Sequence, residues 1–159
     1  MTIEPKLLLR LQFLTRVIRK ECQHLTTTDQ RLFYENAAID RFSALETDID
    51  LAERVEAFVG RFCRLQDTLG DKLLPLLLTA LGEKPASVID NLDRAERLGL
   101  IISAEEWMTM RNLRNQMVYE YVEDNVVLTS ALQTGHLFVP RLIATANSMI
   151  NEMEHRQWV

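Results

Sequence analysis

Apolar residues recur three and four positions apart along most of this chain, and that spacing is the period of a helix buried on one face. Residues 6 to 24 place Leu7, Leu8, Leu11, Leu14, Val17 and Ile18 on one stripe. Arg10, Arg16, Arg19 and Lys20 fall largely off it. Pro5 suits a first helical turn. Thr26-Thr27-Thr28-Asp29 reads as a break followed by a new cap, and residues 29 to 45 read as a less regular helix. A stronger helix is expected from about Asp50 to Leu69, built on Leu51, Val55, Phe58, Val59, Phe62, Leu65 and Leu69. Gly70 and Pro75 predict a kink or a short interruption. Gly82-Glu83-Lys84-Pro85 predicts a turn. Ser87 then caps a helix that ends at Gly99.

The string Ser103-Ala104-Glu105-Glu106 fits a capping box and opens a further helix to about Glu123. Asp124-Asn125 caps the last one, which runs from Val126 to about His155 with Pro140 inside it as the expected kink site. No segment alternates as a strand does. The expected fold class is therefore all-α: a single domain over residues 1–159, folded as an antiparallel up-and-down bundle of about five helices.

Composition narrows the function classes. Hydrophobic residues make up 47% and charged residues 26% of 159 residues, an ordinary globular balance that leaves enough apolar surface for a core. The net charge of −5 argues against a general DNA-coating role, but leaves room for a local basic patch that binds RNA. Cys22 and Cys63 match no metal-ligand spacing and read as reduced packing residues. His24, His136 and His155 form no i,i+4 pair, so neither a metal nor a cofactor is expected. The opening Met1-Thr2-Ile3-Glu4-Pro5 is unlike a secretory leader, and the apolar run Leu73 to Leu81 is too short to cross a bilayer. A cytoplasmic protein without membrane attachment is the expectation.

Residues 94 to 124 carry the chemistry. On a wheel of 100° per residue, Trp107, Met110, Leu113, Met117, Val118, Tyr121 and Val122 form one apolar arc of the Ser103-capped helix. Gln116, Glu120 and Thr109 lie outside it. Arg114 falls inside the arc, Arg111 within it and Asn115 at its edge, with Tyr119 just beyond. A guanidinium on an apolar stripe needs a partner. Two readings stand open. Arg114 either snorkels or pairs with a carboxylate of its own core, or it lines a groove between two copies of the bundle. In such a groove Arg114 and Asn115 would hold a phosphate, and Tyr119 and Tyr121 would stack on a base. Trp107, Met108, Met110, Met117 and Met149 read as core packing, with a dimer seam as the alternative.

The run Arg114-Asn115-Gln116-Met117-Val118-Tyr119-Glu120-Tyr121 resembles the closing motif of the HEPN superfamily, R-x(4)-H, in which Asn often follows the Arg and Tyr stands two after the His. The approach, Leu98-Gly99-Leu100-Ile101 before a capped helix, is similar to that of HEPN toxins paired with minimal nucleotidyltransferases. The likeness covers about thirty residues; Phe62, Gln66 and Leu69 add a looser match. It implies a dimeric helical bundle whose active members cleave RNA without metal, using Arg and His from both protomers. It also implies a nucleotidyltransferase antitoxin able to adenylylate the Tyr of the motif, here Tyr121. Other members of the family are non-catalytic binding subunits. This chain departs at the catalytic position, where Tyr119 replaces His. An unperturbed phenol titrates at about pH 10 and is a poor general base at pH 7. The resemblance thus assigns Arg114 and Tyr119 to the reacting centre, with a metal-independent endoribonuclease activity weakened or lost. It assigns Arg111, Asn115 and Tyr121 to binding RNA or nucleotide. The alternative is a non-enzymatic interaction module or regulatory subunit.

Overall fold

The computed structural model describes residues 2–34, 39–119 and 124–159, and among these residues the chain is all-helical with no strand. Helix α1 spans Pro5–Leu32, α2 Ile49–Asp67, α3 Leu74–Ala80, α4 Val88–Arg97, α5 Ala104–Tyr119 and α6 Asn125–His155. A 3₁₀ segment, Ile39–Ala44, precedes α2, and a π-helical turn, Thr68–Leu73, joins α2 to α3. Since that turn keeps the chain helical, α2 and α3 form one rod, giving five rods among the described residues. Helix α1 packs on α2 and α6, while α5 packs on α2, α4 and α6.

The caps follow from the side chains. Asp48 accepts from the Leu51 amide at 3.1 Å at the start of α2. Ser87 accepts from Asp90 at 3.2 Å, and Ser103 from Glu106 at 3.1 Å. Asp124 accepts from the Val126 and Val127 amides. Each bond satisfies an amide that the first turn leaves without a carbonyl. Gly99 ends the α4 turn at φ 76°, and Gly82 ends the α3 turn at φ 85°, both in left-handed backbone that favours glycine.

One predicted boundary is wrong. The threonine run does not break the first helix, which continues to Leu32. Thr27 bonds back to the Gln23 carbonyl, and the buried Thr28 hydroxyl accepts from Arg61 of α2. Hydroxyls satisfied in this way no longer compete with the helical backbone. The less regular helix expected over residues 29 to 45 resolves into the last turn of α1 and the 3₁₀ segment, separated by residues that lie outside the described ones. The expected end of the Ser103-capped helix near Glu123 also lies outside them. The last helix continues through Pro140.

The interruption at Gly70 and Pro75 takes a definite form. Pro75 has no amide to give, and its ring crowds the carbonyl four residues back, so the helix widens by one residue. The Leu74 amide accordingly reaches the Leu69 carbonyl, five positions earlier. Within this turn Gly70 has no side chain, and the Trp107 indole of α5 lies against the space: a Cβ at residue 70 would stand 3.0 Å from Cζ2 of Trp107.

The core is continuous from Leu11, Leu14 and Ile18 of α1 through Phe58, Phe62 and Leu65 of α2 to Leu128, Leu132, Leu142 and Met149 of α6. Trp107, Met110 and Met117 lie within it, and Met108 packs half-buried against it. Trp107, Met110 and Met117 are thus core residues, and Met108 lies at the edge of the core. Gln66 is 3% exposed, and neither its Oε1 nor its Nε2 has a hydrogen-bond partner.

Three substitutions test this packing by chemical denaturation. Gly60→Ala, where nothing lies within 4 Å of the new Cβ, should stabilise the mid-helical position by about 0.5–1 kcal/mol. Gly70→Ala should cost about 1–3 kcal/mol because the indole must move. Gln66→Met should stabilise by about 1 kcal/mol, since an unpaired buried amide is removed at similar volume.

Candidate functional site

Helix α5 lies antiparallel against α2 and its π turn, and this seam fixes the predicted arginines. Trp107 on Gly70 sets the register. Four and seven residues farther along, Arg111 and Arg114 emerge beside Asp71 and Asp67, which are themselves four apart on the opposing rod. The Arg114 guanidinium donates to Asp67 in a close ion pair, with side chains 30% and 35% exposed. Arg111 meets Asp71 more loosely, at 3.7 Å. Of the two readings of Arg114 left open by the sequence, the chain therefore realises a carboxylate partner of its own, at the rim of the core rather than inside it.

The rest of the motif spreads around α5. Asn115 is exposed. Val118, expected within the apolar arc, is 49% exposed and points out of the bundle. The arc buried on one side is narrower than the wheel predicts, because the α2 side of α5 is taken by the two arginines and their acids. Tyr119 is the last residue of α5. Tyr121, with Glu120 and Val122, lies outside the described residues. Arg111 and Arg114 are thus brought together on one edge, with Asn115 next to them in sequence.

Cys63 of α2 lies beside this edge. Burial pushes its thiol up, and the Arg114 guanidinium acts in the opposite direction with smaller effect. Burial also raises Cys22, to about 11. Both are free thiols, and a raised pKa leaves them protonated and weakly nucleophilic at neutral pH. Among the described residues no group of His, Cys, Asp and Glu is arranged to hold a metal, and no helix is long and apolar enough to cross a membrane.

A second polar pair was not singled out from the sequence. His136 of α6 meets Asp29 of α1 through Nδ1 at 2.7 Å, and its ring stacks on Phe33 with centroids 4.2 Å apart. Burial raises the Asp29 carboxyl, and the His136 contact opposes it. The pair ties the end of α1 to the middle of α6, in keeping with a satisfied structural histidine. Residues 107 positions apart leave no local signal for such a contact. Glu21 is a comparable case: it accepts from Thr68 at 3.0 Å, while its Oε2 is buried without a partner. Burial is the largest cause of its raised carboxyl pKa, with Arg64 and Lys72 pulling the other way.

Two stability measurements follow. In a double-mutant cycle, Arg114→Ala and Asp67→Ala should show a coupling of about 1 kcal/mol, whereas Arg111→Ala and Asp71→Ala should couple by less than about 0.5 kcal/mol. Glu21, whose folded pKa exceeds its unfolded value, stabilises fully below pH 4.5, and this contribution disappears as pH rises through the raised folded value. The stability of the wild type relative to Glu21→Gln should therefore fall between pH 4.5 and pH 7. No protein-family model matches the chain, and no curated protein or solved structure matches it either, so the edge carrying Arg111 and Arg114 is characterised by its own geometry alone.

Proposed function

We propose that the chain is a HEPN-like component of a nucleotidyltransferase-linked toxin–antitoxin pair that acts as a binding subunit, with metal-independent ribonuclease activity weak or lost. The observation that carries this reading is the Arg114–Asp67 pair. A guanidinium that must stabilise a phosphate in a transition state works best with its charge available. Here an acid of the same chain already neutralises it. Tyr119 in place of His removes the group best suited to move a proton at neutral pH. Both features weaken cleavage. Neither prevents binding, since Asp67 holds the guanidinium at a partly open edge where a phosphate can share its remaining donors.

In this reading two copies place Arg111, Arg114, Asn115, Tyr119 and Tyr121 around a shared cleft for RNA or nucleotide. Tyr121 is the residue a minimal nucleotidyltransferase would adenylylate. The neutralised arginine also favours a second reading, in which Arg114 is purely structural and the bundle is a non-enzymatic interaction module.

RNA cleavage in excess chelator separates these readings. The wild type should cut weakly or not at all, and Tyr119→His should cut at least about a hundredfold faster, the low end of what general acid–base catalysis contributes. If neither protein cuts RNA, and if Arg114→Ala lowers stability without changing RNA or nucleotide binding, the interaction-module reading stands instead.

A further inference from the structure

We infer that the outward face of α1 is a binding track for single-stranded RNA, separate from the Arg114 edge and independent of the function proposed for it. The chain carries a net −5, yet α1 exposes Lys6, Arg10, Arg16 and Lys20, none of which forms an ion pair among the described residues. From Lys6 to Arg31 the helix contains only two acids, and both turn inward: Glu21 onto Thr68 and Asp29 onto His136. A third arginine, Arg19, lies to the side of the face and is neutralised by Glu154 of α6. At 100° per residue the four free cations fall within one third of the helix circumference. They are spaced four, six and four residues apart, which corresponds to about 6, 9 and 6 Å along the axis. Such a row is complementary to a polyanion with regularly spaced charges.

Apolar side chains lie among the cations. Phe13 is 47% exposed and Leu9 66% exposed, within the same face. The Arg10 guanidinium stands 5.6 Å from the centre of the Phe13 ring. An exposed aromatic ring and a guanidinium plane beside a basic row offer a base a stacking surface while the backbone follows the charges. That combination favours an unpaired strand over a duplex, whose bases are not free to stack. It also disfavours an anionic membrane. The apolar side of α1, with Leu11, Leu14, Ile18 and Leu25, is spent in the core, leaving only Leu9 and Phe13 to insert.

The test is fluorescence anisotropy with a labelled oligouridylate of about twenty nucleotides, on the full chain, between about 50 and 200 mM salt. Four backbone contacts to a single strand predict a log–log salt slope of about −2.8, or about 50-fold weaker binding across that range. Lys6→Gln/Arg10→Gln/Arg16→Gln/Lys20→Gln should abolish most of the slope while the helical signal and melting temperature stay near those of the wild type. Arg10→Lys/Arg16→Lys, which keeps the charge, should retain it. Phe13→Ala should weaken binding by about tenfold with the slope unchanged. A wild type that does not bind at low salt, or binds with a slope near zero, overturns the proposal. So does binding that survives the fourfold substitution but is lost in Arg114→Ala, which would place RNA at the α5 edge. Capture by phosphatidylserine vesicles without binding of the oligouridylate overturns it as well.

Discussion

The contact on which the arrangement of this bundle turns is that of Trp107 with Gly70. Pro75 cannot donate into the helix that contains it, and the backbone answers by widening into a π-helical turn. Glycine at residue 70 leaves the outer surface of that turn bare, and the largest side chain of α5 lies upon it. A methyl group there would displace the indole. This close approach determines how far α5 slides along α2, and hence which side chains face one another farther along the seam. Asp67 and Asp71 come opposite Arg114 and Arg111 as a consequence of that register. The ion pairs sharpen the register; burial of Trp107, Met110, Leu113 and Met117 supplies most of the energy that maintains it.

Two sets of cations result, and they differ in kind. Those on α5 have acids of their own chain within reach and are held in place by them. Those on α1 face outward, and the acids of that helix are directed into the bundle. A charge already paired orients well and binds a new anion weakly, because the anion must compete with the carboxylate. An unpaired, hydrated charge orients poorly and contributes chiefly through long-range attraction and counterion release. The first arrangement suits selective recognition at one position; the second suits a ligand with many repeated charges.

Much of the architecture was legible in the sequence because it depends on local signals. Ser87, Ser103 and Asp124 cap their helices as expected, since the polar side chain and the amides it serves are within three residues. Gly70 and Pro75 announced an interruption, although not its π-helical form, and nothing local announced that Trp107 of α5 would lie against Gly70. The threonine run misled for the converse reason: Thr28 finds its partner in Arg61, thirty-three residues away. The site shows the same division. Periodicity placed Arg114 on the apolar side of α5, and physical reasoning demanded a partner for it, but nothing local identifies that partner as Asp67. Val118 was expected in the core and is not, because the arginines and their acids occupy the adjoining side of the helix. The His136–Asp29 pair, bridging α1 and α6, had no signal at all in the spacing of residues.

The central claim is that Arg114 belongs to Asp67 before it belongs to any ligand. Nitrogen-15 NMR of the arginine side chains reads this directly, through the rate of rotation about the Nε–Cζ bond and the exchange of the guanidinium protons with water. A paired Arg114 should give a resolved, slowly rotating guanidinium signal that becomes mobile in Asp67→Asn, while Arg10 and Arg16 rotate freely in both proteins. An Arg114 as mobile as Arg16 in the wild type, or one unaffected by Asp67→Asn, would contradict the account.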